Sequence, residues 1–227
     1  MITHREPLSP ALTAFAHRLA DLAGAAILPH FRTSLAIDNK AGAGDFDPVT
    51  VADRAAEAAI AEEIRRSHPE HGLVGEEFGA HGMEARHRWV VDPIDGTRAF
   101  IMGYPLWGTL IGLLDDGVPR LGLLDQPFTG ERFWSEDGAA FLRVRDASRR
   151  RLATRACARL QDAVLSTTHP DLFAPGAESE GFARLKAGVR MTRYGGDCYA
   201  YAMLAAGFVD IVAEAGLKPF DIVALIP

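Results

Sequence analysis

The chain has 227 residues, a formal net charge of −6, 48% hydrophobic and 24% charged residues, enough apolar material for one substantial core or two tightly joined halves. The acidic balance argues against a nucleic-acid partner, and Arg149-Arg150-Arg151 reads as a solvated loop. Two cysteines, Cys157 and Cys198, without paired Cys/His spacing argue against a disulfide framework or a structural zinc site. The opening residues lack the apolar core of a signal peptide and no apolar run looks long enough to span a bilayer, so the expected setting is the cytoplasm, without a membrane partner.

Ser9 before Pro10 is a helix start, a capping hydroxyl followed by proline at the first helical position. Leu12, Phe15, Leu19, Leu22 and Ala26 recur at three- and four-residue intervals, so this helix faces a core along that stripe and ends near Pro29. Residues 40–48, with Asp45 and Asp47, form a glycine-rich acidic loop; lacking a Gly-Lys-Ser/Thr ending, it is not a nucleotide P-loop. Thr50 opens a second helix and Asp53 completes a capping-box variant. Ala55, Ala56, Ala59, Ile60 and Ile64 supply its buried side; Glu57, Glu62, Glu63, Arg65 and Arg66 are expected to cover the other, and His68-Pro69 stops it. Leu73-Val74 is a short strand running into Gly75-Glu76-Glu77, adjacent acids of a kind that usually face solvent.

The chain then reaches Trp89-Val90-Val91-Asp92-Pro93-Ile94-Asp95-Gly96-Thr97. Val90 and Val91 end a buried strand, Asp92 and Asp95 sit where it stops, and Thr97 begins a short helix through Phe100. Two carboxylates thus lie beside a helix start. Alone they would repel a phosphate; holding Mg²⁺ they would attract one. On these residues by themselves, an Asx-type turn with a helix cap and a metal–phosphate site both stay open.

Residues 106–114 read as a buried strand, Asp115-Asp116-Gly117 as a turn, 118–124 as its partner, and 130–134 with 139–142 as further strands of an antiparallel meander. Trp107 and Trp134 are expected in the core. A polar connector, 146–151, leads to a second half: a strand at 163–165, a loop at 166–173 carrying His169 before Pro170, a helix at 180–185 and a strand at 189–191. Gly195-Gly196 introduces a helix with small residues on its packing side; a strand at 209–213 closes on Glu214, and Gly216 to Asp221 turns into a last helix.

The stretch from Trp89 to Thr97 resembles the signature of the inositol monophosphatase-like superfamily of Mg²⁺-dependent, lithium-sensitive phosphatases. Asp47-Pro48-Val49-Thr50-Val51-Ala52-Asp53 and Gly75-Glu76-Glu77 match its flanking segments. Arg193-Tyr194-Gly195-Gly196-Asp197-Cys198-Tyr199-Ala200-Tyr201, Leu217-Lys218-Pro219-Phe220-Asp221 and Ser166-Thr167-Thr168-His169-Pro170-Asp171-Leu172-Phe173 are similar to its histidinol-phosphatase branch, with Phe220 where tryptophan is usual. The resemblance runs from about Leu12 onward. It implies a layered α/β fold of the αβαβα sugar-phosphatase type, with a mixed, largely antiparallel first sheet and a smaller second one. It further implies one domain over 1–227, with halves of about 1–145 and 146–227, and a homodimer. The superfamily pattern continues past Pro227 through another strand and helix, so those final elements are expected to be missing from this sequence.

The resemblance also assigns residues. Glu76, Asp92 and the Ile94 carbonyl would bind a first Mg²⁺; Asp92, Asp95 and Asp221 a second; Asp47 borders a further position, and Mn²⁺ is a plausible substitute. Glu76 with Thr97 would position water, Asp53 would fix the Thr97 hydroxyl, and Asp95, Gly96 and Thr97 would border the phosphate. Arg193, Asp197 and Glu214 are the expected substrate contacts, the two acids facing the ammonium of L-histidinol phosphate; a helix-terminal charge and a solvated strand-end acid are the other readings of those acids. The activity implied is Mg²⁺-dependent hydrolysis of L-histidinol phosphate, a step of histidine biosynthesis. An inositol-1-phosphate or broad sugar phosphatase is the alternative, and a catalytically silent metal-binding protein a third.

Overall fold

The computed structural model describes residues 8–34, 37–39 and 48–227. Asp47 and the rest of the loop at 40–47 lie outside these residues. Helix α1 (Pro10–Ile27) starts as its sequence dictates: Ser9 Oγ accepts the Ala11 N–H and proline occupies the first turn. A 3₁₀ turn, Leu28–His30, follows around Pro29. The buried stripe of α1 runs through Leu12, Phe15, Ala16, Leu19, Ala20, Ala23 and Ile27. Leu22 and Ala26 are half-buried, because the stripe turns toward the alanines, whose small side chains admit a close neighbour. The segment Pro10–His30 has a mean hydropathy of 1.3, so by length and composition alone it could cross a bilayer, contrary to the reading of the sequence. Here its apolar face packs against a second helix and a sheet.

Strands β1 (Ile37–Asn39) and β2 (Pro48–Thr50) pair antiparallel and lead into α2 (Val51–Ser67). Thr50 caps α2, and Asp53 Oδ2 accepts the Thr50 N–H in return, a full capping box. The expected solvent face of α2 is wrong at two positions. Glu57 is completely buried and Glu63 is 6% exposed, the latter held by Arg18, Arg66 and Ser67.

The main sheet comprises β3 (Gly72–Gly75), β4 (Ala80–His81), β5 (His87–Asp95), β6 (Gly108–Asp115), β7 (Val118–Gln126), β8 (Glu131–Glu136), β9 (Ala139–Val144) and β10 (Arg150–Arg151), with helix α3 (Thr97–Ile101) between β5 and β6. Its order is β10-β9-β8-β7-β6-β5-β3-β4, and every pairing is antiparallel except β3 with β5. The meander reverses at Asp116 and Gly117 with φ of 49° and 78°, the paired left-handed geometry of a tight hairpin. Both faces of β6 are buried. Ile111 and Leu113 join α1, α2, Trp89, Trp107 and Trp134 in one core; Leu110 joins Leu124, Phe133, Cys198, Ala202 and Ala224 in another. A strand covered on both sides reads as one apolar run, which is how residues 106–114 look.

The second sheet holds β11 (Val164–Thr167), β12 (Met191–Tyr194) and β13 (Ile211–Val212), ordered β12-β11-β13 and parallel throughout. The strand expected at 189–191 is displaced toward the C-terminus, and that expected at 209–213 shrinks to two residues. Helices α4 (Ala177–Gly188), α5 (Asp197–Ala205) and α6 (Pro219–Ile222) connect and follow these strands. The last 3₁₀ turn, Val223–Leu225, lies on β6 and β7 against glycines. A Cβ at Gly122 would stand 1.8 Å from the Ala224 carbonyl oxygen, and one at Gly112 2.7 Å from Val223 Cγ1.

Candidate active site

The site forms where β5 leaves regular pairing. Its register with β6 holds to Asp92 opposite Leu110 and then jumps to Asp95 opposite Gly108. The irregularity is held at both ends: Thr109 Oγ1 donates to the Pro93 carbonyl at 2.8 Å, and Asp92 Oδ1 accepts the Ile94 N–H at 3.0 Å. Gly96 follows at φ 90°, where a Cβ would meet the Leu106 carbonyl oxygen at 3.0 Å. From the far end of the chain, the first turn of α6 brings in Asp221, which accepts the Lys218 N–H at 2.6 Å. Carboxylate oxygens of Asp92, Asp95 and Asp221 lie within 4.8 Å of one another. Glu76, just past β3, stands near enough to Asp92 that its charge is, after burial, the largest influence raising the Asp92 carboxyl.

The charges acting most strongly on Asp92 and Asp95 are those of other carboxylates. Burial, then the charges of Glu76 and Asp95, pushes the Asp92 carboxyl well above the ordinary range. Burial, then Asp197, pushes Asp95 up to about 7, although the Cys198 N–H donates to its Oδ1 at 2.8 Å. Converging hard oxygen donors that repel each other suit Mg²⁺ or Mn²⁺, which would relieve the repulsion.

The cluster opens into a cavity of about 360 Å³ lined by Asp95, Thr97, Arg98, Asp197, Tyr201 and Glu214, among others. Asp197 sits at φ 43° after two glycines in the same region of backbone space, which aims the start of α5 at Asp95. Burial pushes its carboxyl up to about 6, with Arg98 pulling the other way. Glu214 accepts the Thr168 N–H at 2.7 Å.

Residues 10–227 match the inositol monophosphatase family. The chain belongs to that family, and with it to the metal-dependent phosphomonoesterases. It is 45% identical over 216 residues to the bifunctional phosphatase IMPL2 of Arabidopsis thaliana, covering 94% of this chain and 60% of that protein's length. It is 40% identical to the histidinol-phosphatase of Mycobacterium tuberculosis, over 84% of this chain and 73% of that one. A solved inositol monophosphatase from Zymomonas mobilis superposes with a TM-score of 0.83 at 42% identity, covering 98% of this chain and 83% of that one.

Against the pattern expected of an inositol monophosphatase relative, most named residues gather and a few do not. Glu76, Asp92, Asp95, Asp221, Gly96 and Thr97 come together, and Asp197 with Glu214 faces the same cavity. The Ile94 carbonyl accepts the Thr97 hydroxyl at 3.1 Å. The expected Asp53–Thr97 bond is therefore not made in this structure. Asp53 Oδ2 serves Thr50, and its buried Oδ1 has no partner among the described residues. Arg193 is exposed on β12 and does not line the cavity; the arginine there is Arg98, from the first turn of α3. Arg98, Tyr201 and the buried Glu57 were not singled out from the sequence, the last because its helical position looked solvent-facing.

A second group, His68, Glu70 and His71, also brings ligand atoms within 4.8 Å. Trp89 Nε1 donates to His71 Nδ1 at 3.1 Å, so the neutral ring carries its proton on Nε2, which faces Glu70 at 3.3 Å. That nitrogen offers Glu70 a proton rather than a metal a lone pair. The group acts as a ring stack closing the end of α2, with His68 and His71 centroids 4.4 Å apart.

Proposed function

We propose that the protein hydrolyses L-histidinol phosphate. The supporting observation is that Asp197 and Glu214 share one cavity with the Asp92, Asp95 and Asp221 cluster. A phosphate ester with an ammonium group suits a cavity with a cation-loving phosphate end and a second pair of acids. A neutral polyol would bring those acids no counter-charge beyond Arg98, which already acts on Asp197.

In this reading Glu76, Asp92, Asp95, Asp221 and the Ile94 carbonyl would hold two Mg²⁺ ions, and Asp47, outside the described residues, would be the acid offered to a third. Bound there, the ions would lower the pKa of water and neutralise charge on the phosphoryl group. Glu76 takes the proton of the attacking water, and the Thr97 hydroxyl orients it. The main chain at Gly96 and Thr97 faces the phosphate oxygens. Asp53 keeps the start of α2 in place beside this turn, and Asp197 and Glu214 receive the substrate ammonium. The proposal includes a cytoplasmic homodimer acting in histidine biosynthesis.

A phosphate-release panel tests the reading. With Mg²⁺, kcat/KM for L-histidinol phosphate should exceed that for inositol-1-phosphate by at least about tenfold, the order of one charge-assisted contact. The reverse order would favour the inositol phosphatase reading, to which the 42% identity with the Zymomonas mobilis structure lends support. No release from either substrate would favour a silent metal-binding protein.

A further inference from the structure

We infer that Glu57 is a positioning residue: from the buried side of α2 it holds the main chain around Glu76, and so sets how tightly the acidic cluster takes a divalent cation. The inference rests on the proposed metal site.

Glu57 is completely buried, yet it pairs with no basic side chain among the described residues. Its two oxygens each accept one main-chain N–H of the turn after β3, Glu77 at 2.8 Å and Phe78 at 2.9 Å. A carboxylate meets both donors at once with one oxygen for each. The carboxylate also fills the space where residue 75 would carry a side chain: a Cβ there would stand 1.8 Å from Glu57 Oε1 and 2.3 Å from its Cδ. Gly75 and Glu57 are therefore fitted to one another. Phe78 is 50% exposed, and residues 79 and 80 are exposed as well. Glu76 stands between Gly75 and the two N–H groups that Glu57 holds, and it reaches Asp92 across the site.

The placement has an electrostatic cost. Glu57 brings a third carboxylate near Glu76 and Glu77, and burial with their charges pushes its own carboxyl upward against the two N–H bonds. A turn that needed only closure has it already, from the Gly75 N–H to the Gly79 carbonyl at 2.9 Å. The added acid fixes where Glu76 points.

The test compares Glu57→Gln, Glu57→Ala, Gly75→Ala and the Glu57→Ala/Gly75→Ala double variant with wild type. Glu62→Ala, exposed on the same helix, is the control. Mn²⁺ affinity is read by calorimetry, Mg²⁺ activation by phosphate release, and Tm in EDTA. Glu57→Gln keeps shape and one good acceptor. It should raise the Mn²⁺ Kd and the half-saturating Mg²⁺ by about tenfold, the usual loss for a residue supporting a metal ligand, while kcat at saturating Mg²⁺ stays within about threefold. Glu57→Ala and Gly75→Ala should do the same or more, and the double variant should be no worse than Glu57→Ala. A lowered Tm with unchanged Mn²⁺ Kd, failure of Glu57→Gln to fold, or additive loss in the double variant would overturn the inference by showing a purely structural contact. Wild type that binds no Mn²⁺ would overturn the metal site itself, and the inference with it.

Discussion

Replacing Asp95 by asparagine should make the metal-free protein more stable while removing its response to Mg²⁺. The Asp95 carboxyl is pushed from about 4 up to about 7 by burial and by Asp197 and Asp221. A group whose folded value is raised binds more protons folded than unfolded, so its contribution falls as pH rises from about 4 through about 7. Three units correspond to about 4 kcal/mol at pH 8. The amide can still accept the Cys198 N–H, which Asp95 accepts at 2.8 Å. Allowing about 1–2 kcal/mol for burying the amide leaves a gain of about 2–3 kcal/mol. At about 2–4 °C per kcal/mol for a chain of this size, Tm in EDTA at pH 8 should rise by roughly 4–12 °C. The gain should vanish near pH 4, where wild-type Asp95 is already protonated. Any effect of His17 and His71, held down to about 4 by burial, cancels in the comparison. With Mg²⁺ at about 100 times Kd, wild type should gain about 2.7 kcal/mol and the variant little. Differential scanning fluorimetry across pH, with EDTA or Mg²⁺, reads all four conditions. A variant less stable than wild type in EDTA at pH 8, or one with an equal Mg²⁺ gain, would refute the reasoning.

Asp197→Asn should raise KM for L-histidinol phosphate by about tenfold and leave that for inositol-1-phosphate within about twofold, checked by steady-state kinetics. Gly122→Ala places a Cβ 1.8 Å from the Ala224 carbonyl oxygen and should cost about 2 kcal/mol or more in urea unfolding by displacing the last turn. Thr50→Ala removes one half of the α2 capping box, in which Thr50 Oγ1 accepts the Ala52 N–H at 3.1 Å; it should cost about 1 kcal/mol. An unchanged urea midpoint in either variant would contradict the packing described.

The parts of the fold that could be read in advance are those with local causes. Ser9-Pro10 and Thr50 with Asp53 announce helix starts because caps act within a turn. Asp116-Gly117 announces a hairpin because few residues accept its angles. The parallel second sheet was less legible, since β13 is two residues long and owes its pairing to β11, some 46 residues earlier in the chain. In the site, Asp92 and Asp95 share one motif, but Asp221 is identified by family pattern alone; nothing near it in sequence marks it as more than a helix-cap acid. Glu57 was misplaced for the opposite reason. A glutamate on a helix is assigned to solvent unless its partner is known, and here the partners are main-chain N–H groups some 20 residues away. Arg98 and Arg193 exchange importance because the cavity walls bring α3 and α5 together from distant parts of the chain, which no local pattern encodes.

The central claim is that Asp92, Asp95 and Asp221, with Glu76, form one divalent-cation site. Anomalous diffraction from crystals grown with Mn²⁺ tests it most directly. The account predicts a strong peak within about 2.0–2.4 Å of carboxylate oxygens of Asp92 and Asp95 or Asp221. Saturating Mn²⁺ with no peak among these residues, or a peak confined to His68, Glu70 and His71, would contradict it.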